Sequence, residues 1–139
     1  MTAERLLFRL VQLNAAILLL AFPCALLPFA WMDTVHRDAL GLGELTNVPI
    51  TKYMARSLSL VYGMHGVLLV AITRNWERYR SAVPFLAKLH IALGAALLAV
   101  DIDAGLPWWW AASEGPGLIG YGLLVLAVSR RADRPLDAV

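Results

Sequence analysis

Four long apolar runs alternate with short polar stretches along the chain. The first, roughly 4–32, opens with Arg5 and Arg9 one turn apart and then holds no charge from Leu10 to Trp31. That is enough helix to cross a hydrocarbon core of roughly 30 Å. Pro23 and Pro28 lie in its second half and predict a kink there, because proline lacks the backbone donor and crowds the carbonyl four residues back. Gln12 and Asn14, just inside the apolar run, are expected to bond to a neighbouring helix.

A polar segment, 33–51, carries Asp33, Arg37, Asp38 and Glu44 among Gly41, Gly43, Asn47 and Pro49. It predicts an outer loop with a short amphipathic turn, a solvated His36, and Thr51 as the cap of the next helix. The second helix is expected over about 52–73. At about 100° per residue, Arg56, Ser59, Gly63 and Gly66 share a face, and small residues on one stripe let another helix approach. That face, Arg56 included, is expected to point inward.

The stretch Arg74–Arg80 is basic and aromatic, with Trp76 and Tyr79 suited to a membrane interface. The third helix, about 83–103, has Pro84 in its first turn, and its stripe reads His90, Gly94, Leu97, Asp101. The fourth, about 109–130, has the stripe Glu114, Leu118, Tyr121, Val125. Its clean apolar part, Pro116 to Val128, is too short to cross alone, so it must take in Trp108 to Ala112 and therefore Glu114, or else tilt little and sit in a thinned region. Arg130, Arg131 and Arg134 close it before a frayed tail.

Composition agrees with the pattern. The 139 residues are 60% apolar and 16% charged, where a soluble domain is nearer half and a quarter. The expected class is all-α: a single integral membrane domain built as a four-helix bundle. The net charge of +2 does not indicate nucleic acid, because the arginines sit at helix ends. Arg5, Arg9, Arg74, Arg78, Arg80, Arg130, Arg131 and Arg134 fall on one side; the other side's loops hold only Arg37 and Lys52. The positive-inside rule therefore puts both termini in the cytoplasm and the triple-Trp loop outside. No removable signal peptide is expected, because the first run is too long and lacks a cleavage pattern. The lone Cys24 rules out an internal disulfide and a cysteine metal cage, and no metal site is expected.

Candidate chemistry comes from charge at membrane depth, which is costly and therefore points to function. In an antiparallel pairing of the second and third helices, Arg56 matches Asp101 and His65 matches His90. The outer layer then holds Arg56, Asp101, Asp103 and Glu114. Arg56 can hold one carboxylate bidentately, leaving the other for a ligand or for proton transfer. The competing reading is a polar staple beneath the headgroups. The inner layer holds His65, His90 and Asn14, and two histidines at one depth could be axial ligands of a haem b. Helical angles oppose that, since His65 lies across its helix from Arg56.

Tyr53-Met-Ala-Arg-Ser-Leu-Ser59 followed by Tyr62-Gly-Met-His-Gly66, in a short four-helix chain, resembles the DoxX-like small bacterial membrane proteins. That resemblance implies a bacterial cytoplasmic membrane and, for some members, a role as accessory subunit of a larger complex. Asp101, Glu114 and Trp108 to Trp110 are more distantly similar to features of the EXPERA bundles, which include sterol isomerases and lipid-binding receptors. The expected function is binding of a lipid-like or amphiphilic molecule, or an accessory role. Asp101 and Glu114 form the polar end, Arg56 the counter-charge, and Tyr53, Tyr62, Trp109 and Tyr121 the walls. One alternative is a membrane isomerase with Asp101 and Glu114 catalytic; another is a bis-His haem b electron carrier through His65 and His90. The expected partners are membrane lipid, a hydrophobic small molecule, and a second copy or a larger membrane complex.

Overall fold

The structure is a computed structural model that describes residues 2–133; Arg134 and the expected tail lie outside them. Among the described residues every regular element is helical: α1 (Ala3–Leu19), α2 (Ala21–Leu26), α3 (Phe29–Thr34), α4 (Pro49–Arg74), α5 (Trp76–Tyr79), α6 (Val83–Asp103) and α7 (Trp108–Ala132). A π-turn, Val35–Ala39, follows α3, and a 3-10 turn, Arg80–Ala82, leads into α6. Four stretches are long and apolar enough to cross a membrane: Ala3–Leu26, Pro49–Arg74, Trp76–Asp103 and Trp108–Ala132. Between 17% and 28% of each is buried, so their large apolar side chains mostly face outward, as Met54, Leu58 and Val61 do on α4 and Phe85, Leu89 and Leu93 on α6. A soluble monomer rarely exposes that much continuous apolar surface.

The chain divides into two compact units. One is Gln12–Ala71; the other joins the chain up to Val11 with the chain from Ile72 onward.

In the Gln12–Ala71 unit the prolines do more than kink the first helix. α1 stops at Leu19, whose carbonyl Pro23 cannot serve as a donor, and Leu20 N–H turns back to the Ile17 carbonyl at 3.2 Å. Leu27 is extended (ψ 145°), as the residue before a proline prefers, so the helix ends at Leu26 rather than near 32. Phe22 and Leu19 meet α4 at Gly63 and Gly66, where a Cβ would lie 2.6 Å from the Phe22 ring and 2.9 Å from the Leu19 nitrogen. The small-residue stripe thus packs as expected. α4 itself begins at Pro49 in the first-turn position that suits proline, which places Thr51 inside the helix instead of at its cap.

The polar segment between α3 and α4 is tied by its own charges. Asp33 Oδ1 accepts the Leu45 N–H at 2.7 Å, and Arg37 pairs with Asp38 at 2.8 Å and Asp33 at 3.2 Å. His36 is not simply solvated: its Nδ1 lies 2.7 Å from the Gly43 carbonyl oxygen and donates to it. Gly41 and Gly43 stand at φ +61° and +86°, a region L side chains rarely enter.

In the other unit α6 and α7 form an antiparallel hairpin on a seven-residue seam. A Cβ on Gly94 would sit 2.6 Å from the Gly115 carbonyl oxygen, and one on Gly122 2.6 Å from that of Ala87. Gly115 and Gly122 lie seven apart on α7, opposite Gly94 and Ala87 on α6, so backbone meets backbone along two turns. The buried stripe of α7 therefore runs through Ala111, Gly115, Gly122 and Val125; Glu114 and Leu118 only flank it.

Candidate functional site

The connection between α6 and α7 positions the first candidate. Gly105, at φ +68°, ends α6: its N–H reaches the Ile102 carbonyl at 3.1 Å and that of Leu106 reaches the Asp101 carbonyl at 3.0 Å. This paired closure of the last turn spends the Asp101 carbonyl on the cap. Leu106 then gives way to Pro107, extended at ψ 142°, and α7 starts at Trp108. The three tryptophans are thus the first turn of a helix, not a loop.

Continuing the seam outward, the next position of α6 after Ala87 and Gly94 is Asp101, which faces the first turn of α7. Its residue is only 3% exposed, and its Oδ2 is buried with no hydrogen-bond partner among the described residues. A buried acceptor without a donor costs about 1–3 kcal/mol. Asp103, two residues on, is exposed and does not join it.

Glu114 is half-buried and accepts the Trp110 Nε1–H at 2.7 Å, while the Trp109 and Trp110 rings meet edge to face at 5.7 Å. Because Gly115 faces Gly94, Glu114 stands level with Ala95. It therefore lies about 9 Å from Asp101 along the helix axis, farther from the α6–α7 connection. Each side chain leans toward its own helix N-terminus, Asp101 inward and Glu114 outward, so the two tilt toward one another. The expected single layer of Asp101, Asp103 and Glu114 is a staggered pair.

Tyr121 does not belong to that end. The seam sets it level with Lys88, about 20 Å from Asp101 along the axis. There its hydroxyl donates to the Leu10 carbonyl at 3.3 Å and its ring stands edge-on to His90 at 5.3 Å. His90, 7% exposed, has its Nδ1 2.8 Å from the Leu86 carbonyl oxygen, an atom that only accepts, so Nδ1 carries the proton. The contacts at Ala87–Gly122 and Gly94–Gly115 flank His90 on this seam and leave no slot for a porphyrin between α6 and α7.

Arg56, Tyr53, Tyr62 and His65 all sit on α4 in the other unit. Arg56 and Tyr53 are exposed; Tyr62 and His65 are half-buried. Arg56 was expected to point inward with Gly63 and Gly66. Those glycines meet Phe22 and Leu19, so by the same register Arg56 is level with Phe29, beyond the break at Leu27 and Pro28. The covering helix has ended, and the arginine is left uncovered.

Two cavities lie elsewhere, both at the basic end of the α6–α7 unit. The larger, about 790 Å³, is lined by Thr2, Glu4, Arg5, Phe8, Arg9, Trp76 and Glu77. The smaller, about 270 Å³, adds Arg80, Ser81, Ser129 and Asp133 to Glu4 and Trp76. Glu4 joins them: it accepts from Arg80 Nη1 at 3.0 Å and from Trp76 Nε1 at 3.3 Å. Sequence alone offered only the interfacial signals of Arg5, Arg9 and Trp76 here, because the pairing of Glu4 with Arg80 spans 76 positions. Among the described residues no group of three or more His, Cys, Asp or Glu is gathered to hold a metal ion. The chain matches no protein-family model, no curated protein and no solved structure.

Proposed function

We propose that the protein is a four-span integral protein of a bacterial cytoplasmic membrane, both termini inside. On this reading the outer end of the α6–α7 hairpin binds an amphiphilic small molecule through the Asp101 carboxylate. One observation carries the site: the buried Asp101 Oδ2 lacks a donor at the end of a seam packed too tightly to supply one. A hydroxyl or cationic head would provide that donor, with Glu114 a second, deeper acceptor and Trp109 the interfacial wall. Support for the membrane comes from four apolar stretches of adequate length and from the outward apolar faces of α4 and α6. Support for the sidedness comes from the convergence of Glu4, Trp76, Arg80 and Asp133, which brings the basic segments around them to one end.

The topology is tested in a Cys24→Ser background with single cysteines at Glu44 or Arg78. A membrane-impermeant maleimide on intact cells should label Glu44→Cys and reach Arg78→Cys only after lysis; the reverse pattern would overturn the orientation. The site is tested by native mass spectrometry of gently purified protein. A bound amphiphile should be retained by Asp103→Asn and lost, about tenfold in occupancy, in Asp101→Asn. Equal retention in both, with only stability altered, would make Asp101 a structural group and sink the reading.

A further inference from the structure

We infer a second site at the opposite, basic end: the groove of about 790 Å³ between the first turns of α1 and α5 binds the phosphate head of an anionic lipid. The inference rests on the membrane reading above but not on Asp101. Arg5 and Arg9 line the groove one turn apart on α1, both exposed. Glu4 is already held by Arg80 and Trp76, and Glu77 is the groove's other carboxylate. Among the described residues the Arg5 guanidinium has no ion pair. Two guanidiniums in reach of one another match the several acceptor oxygens of a phosphate better than a single point charge does.

The rest of the groove suits a lipid rather than a free anion. Phe8 and Trp76 meet edge to face, centroids 5.2 Å apart and planes at 88°, and make an apolar wall at the level where aromatic rings sit in a membrane interface. Side chains on α1 lean toward its N-terminus, so Arg9 reaches back toward Arg5 and the polar boundary. Arginines beside an aromatic wall suit a phosphate that carries an apolar group. The cytoplasmic leaflet, where this end falls, is also the one rich in anionic lipid.

The test uses the full chain, purified in detergent after confirming that it stays with the membrane through alkaline carbonate; release at that step would refute the membrane reading itself. Native mass spectrometry then compares short-chain phosphatidylglycerol, phosphatidylcholine and inorganic phosphate. Phosphatidylglycerol should bind about tenfold more tightly than phosphatidylcholine, and the Arg5→Gln/Arg9→Gln variant should lose that preference. The Arg130→Gln/Arg131→Gln variant removes the same charge outside the groove and should keep it. Equal binding of the two lipids, or equal loss in both variants, overturns the site. Displacement of lipid by inorganic phosphate at matching concentration overturns the lipid as its occupant.

Discussion

Gly94→Ala probes the seam that sets every position on α6 and α7. The new Cβ would meet the Gly115 carbonyl oxygen at 2.6 Å, the Ile119 side chain at 2.9 Å and the Ile119 nitrogen at 3.0 Å. Two of those three are backbone atoms of a helix and cannot turn aside. Ordinary contact begins near 3.4 Å, so the helices must part by about 0.8 Å at this point. Overpacking of this kind costs about 1–3 kcal/mol. Against it stands the gain of about 1 kcal/mol from replacing glycine by alanine within a helix. Gly117→Ala supplies the control, because nothing lies within 4 Å of its Cβ and it shares the propensity gain. The difference between the variants isolates the clash and should be about 1–3 kcal/mol, or roughly 5- to 150-fold in the folding equilibrium. It is read from reversible unfolding in mixed micelles, followed by circular dichroism. Adding Gly115→Ala to Gly94→Ala should cost less than its effect alone, since the helices have already parted. Equal stability of Gly94→Ala and Gly117→Ala would refute the backbone seam, and with it the depths assigned to Asp101, Glu114 and Tyr121.

Other measurements address the ends of the helices. Gly105→Ala forces a Cβ into φ +68° and breaks the α6 closure, at a cost of about 1–2 kcal/mol visible as a lower Tm. Asp33→Ala removes the acceptor of the Leu45 N–H, and hydrogen exchange at Leu45 should accelerate at least tenfold while α6 amides are unchanged. The hydrogen bond from Arg37, then its charge, holds the Asp38 carboxyl below its ordinary value of 3.8. A depressed folded-state value means that this contact supports the segment between α3 and α4 above pH 3.8 and is lost as pH falls through the lower, folded value. A carbon-13 titration should show Asp38 moving up toward 3.8 in Arg37→Gln, and no movement would refute the pairing. Trp110→Phe deletes the donor to Glu114 while keeping an aromatic ring beside Trp109, and the Glu114 carboxyl resonance should shift; an unchanged resonance would refute the hydrogen bond.

Much of the helical layout was readable because it depends on local rules. Apolar length, the inward stripe of His90, Gly94 and Asp101, and the close approach at Gly63 and Gly66 all follow from periodicity within one helix. The errors came where two rules met. Pro23 and Pro28 each predict a kink, but the second of them also constrains Leu27 and ends the helix. That single break leaves Arg56 exposed at the level of Phe29. Periodicity places Glu114 on a stripe of α7 with Leu118, Tyr121 and Val125, whereas Gly115 occupies the buried seam, because a glycine can enter where backbones touch.

By itself, then, the sequence determined that four stretches are long and apolar enough to cross a membrane, that basic residues cluster at their ends, and that leaving Asp101 in an apolar segment is costly. These are properties of a residue and its near neighbours. Only the tertiary structure decided the register of α6 against α7, which staggers Asp101 and Glu114 and sends Tyr121 to His90. Likewise only the tertiary structure brought Glu4 to Arg80 and opened the groove at Arg5 and Arg9. Register and long-range pairing are set by how closely particular backbones approach, and that depends on what stands opposite, which no local pattern records.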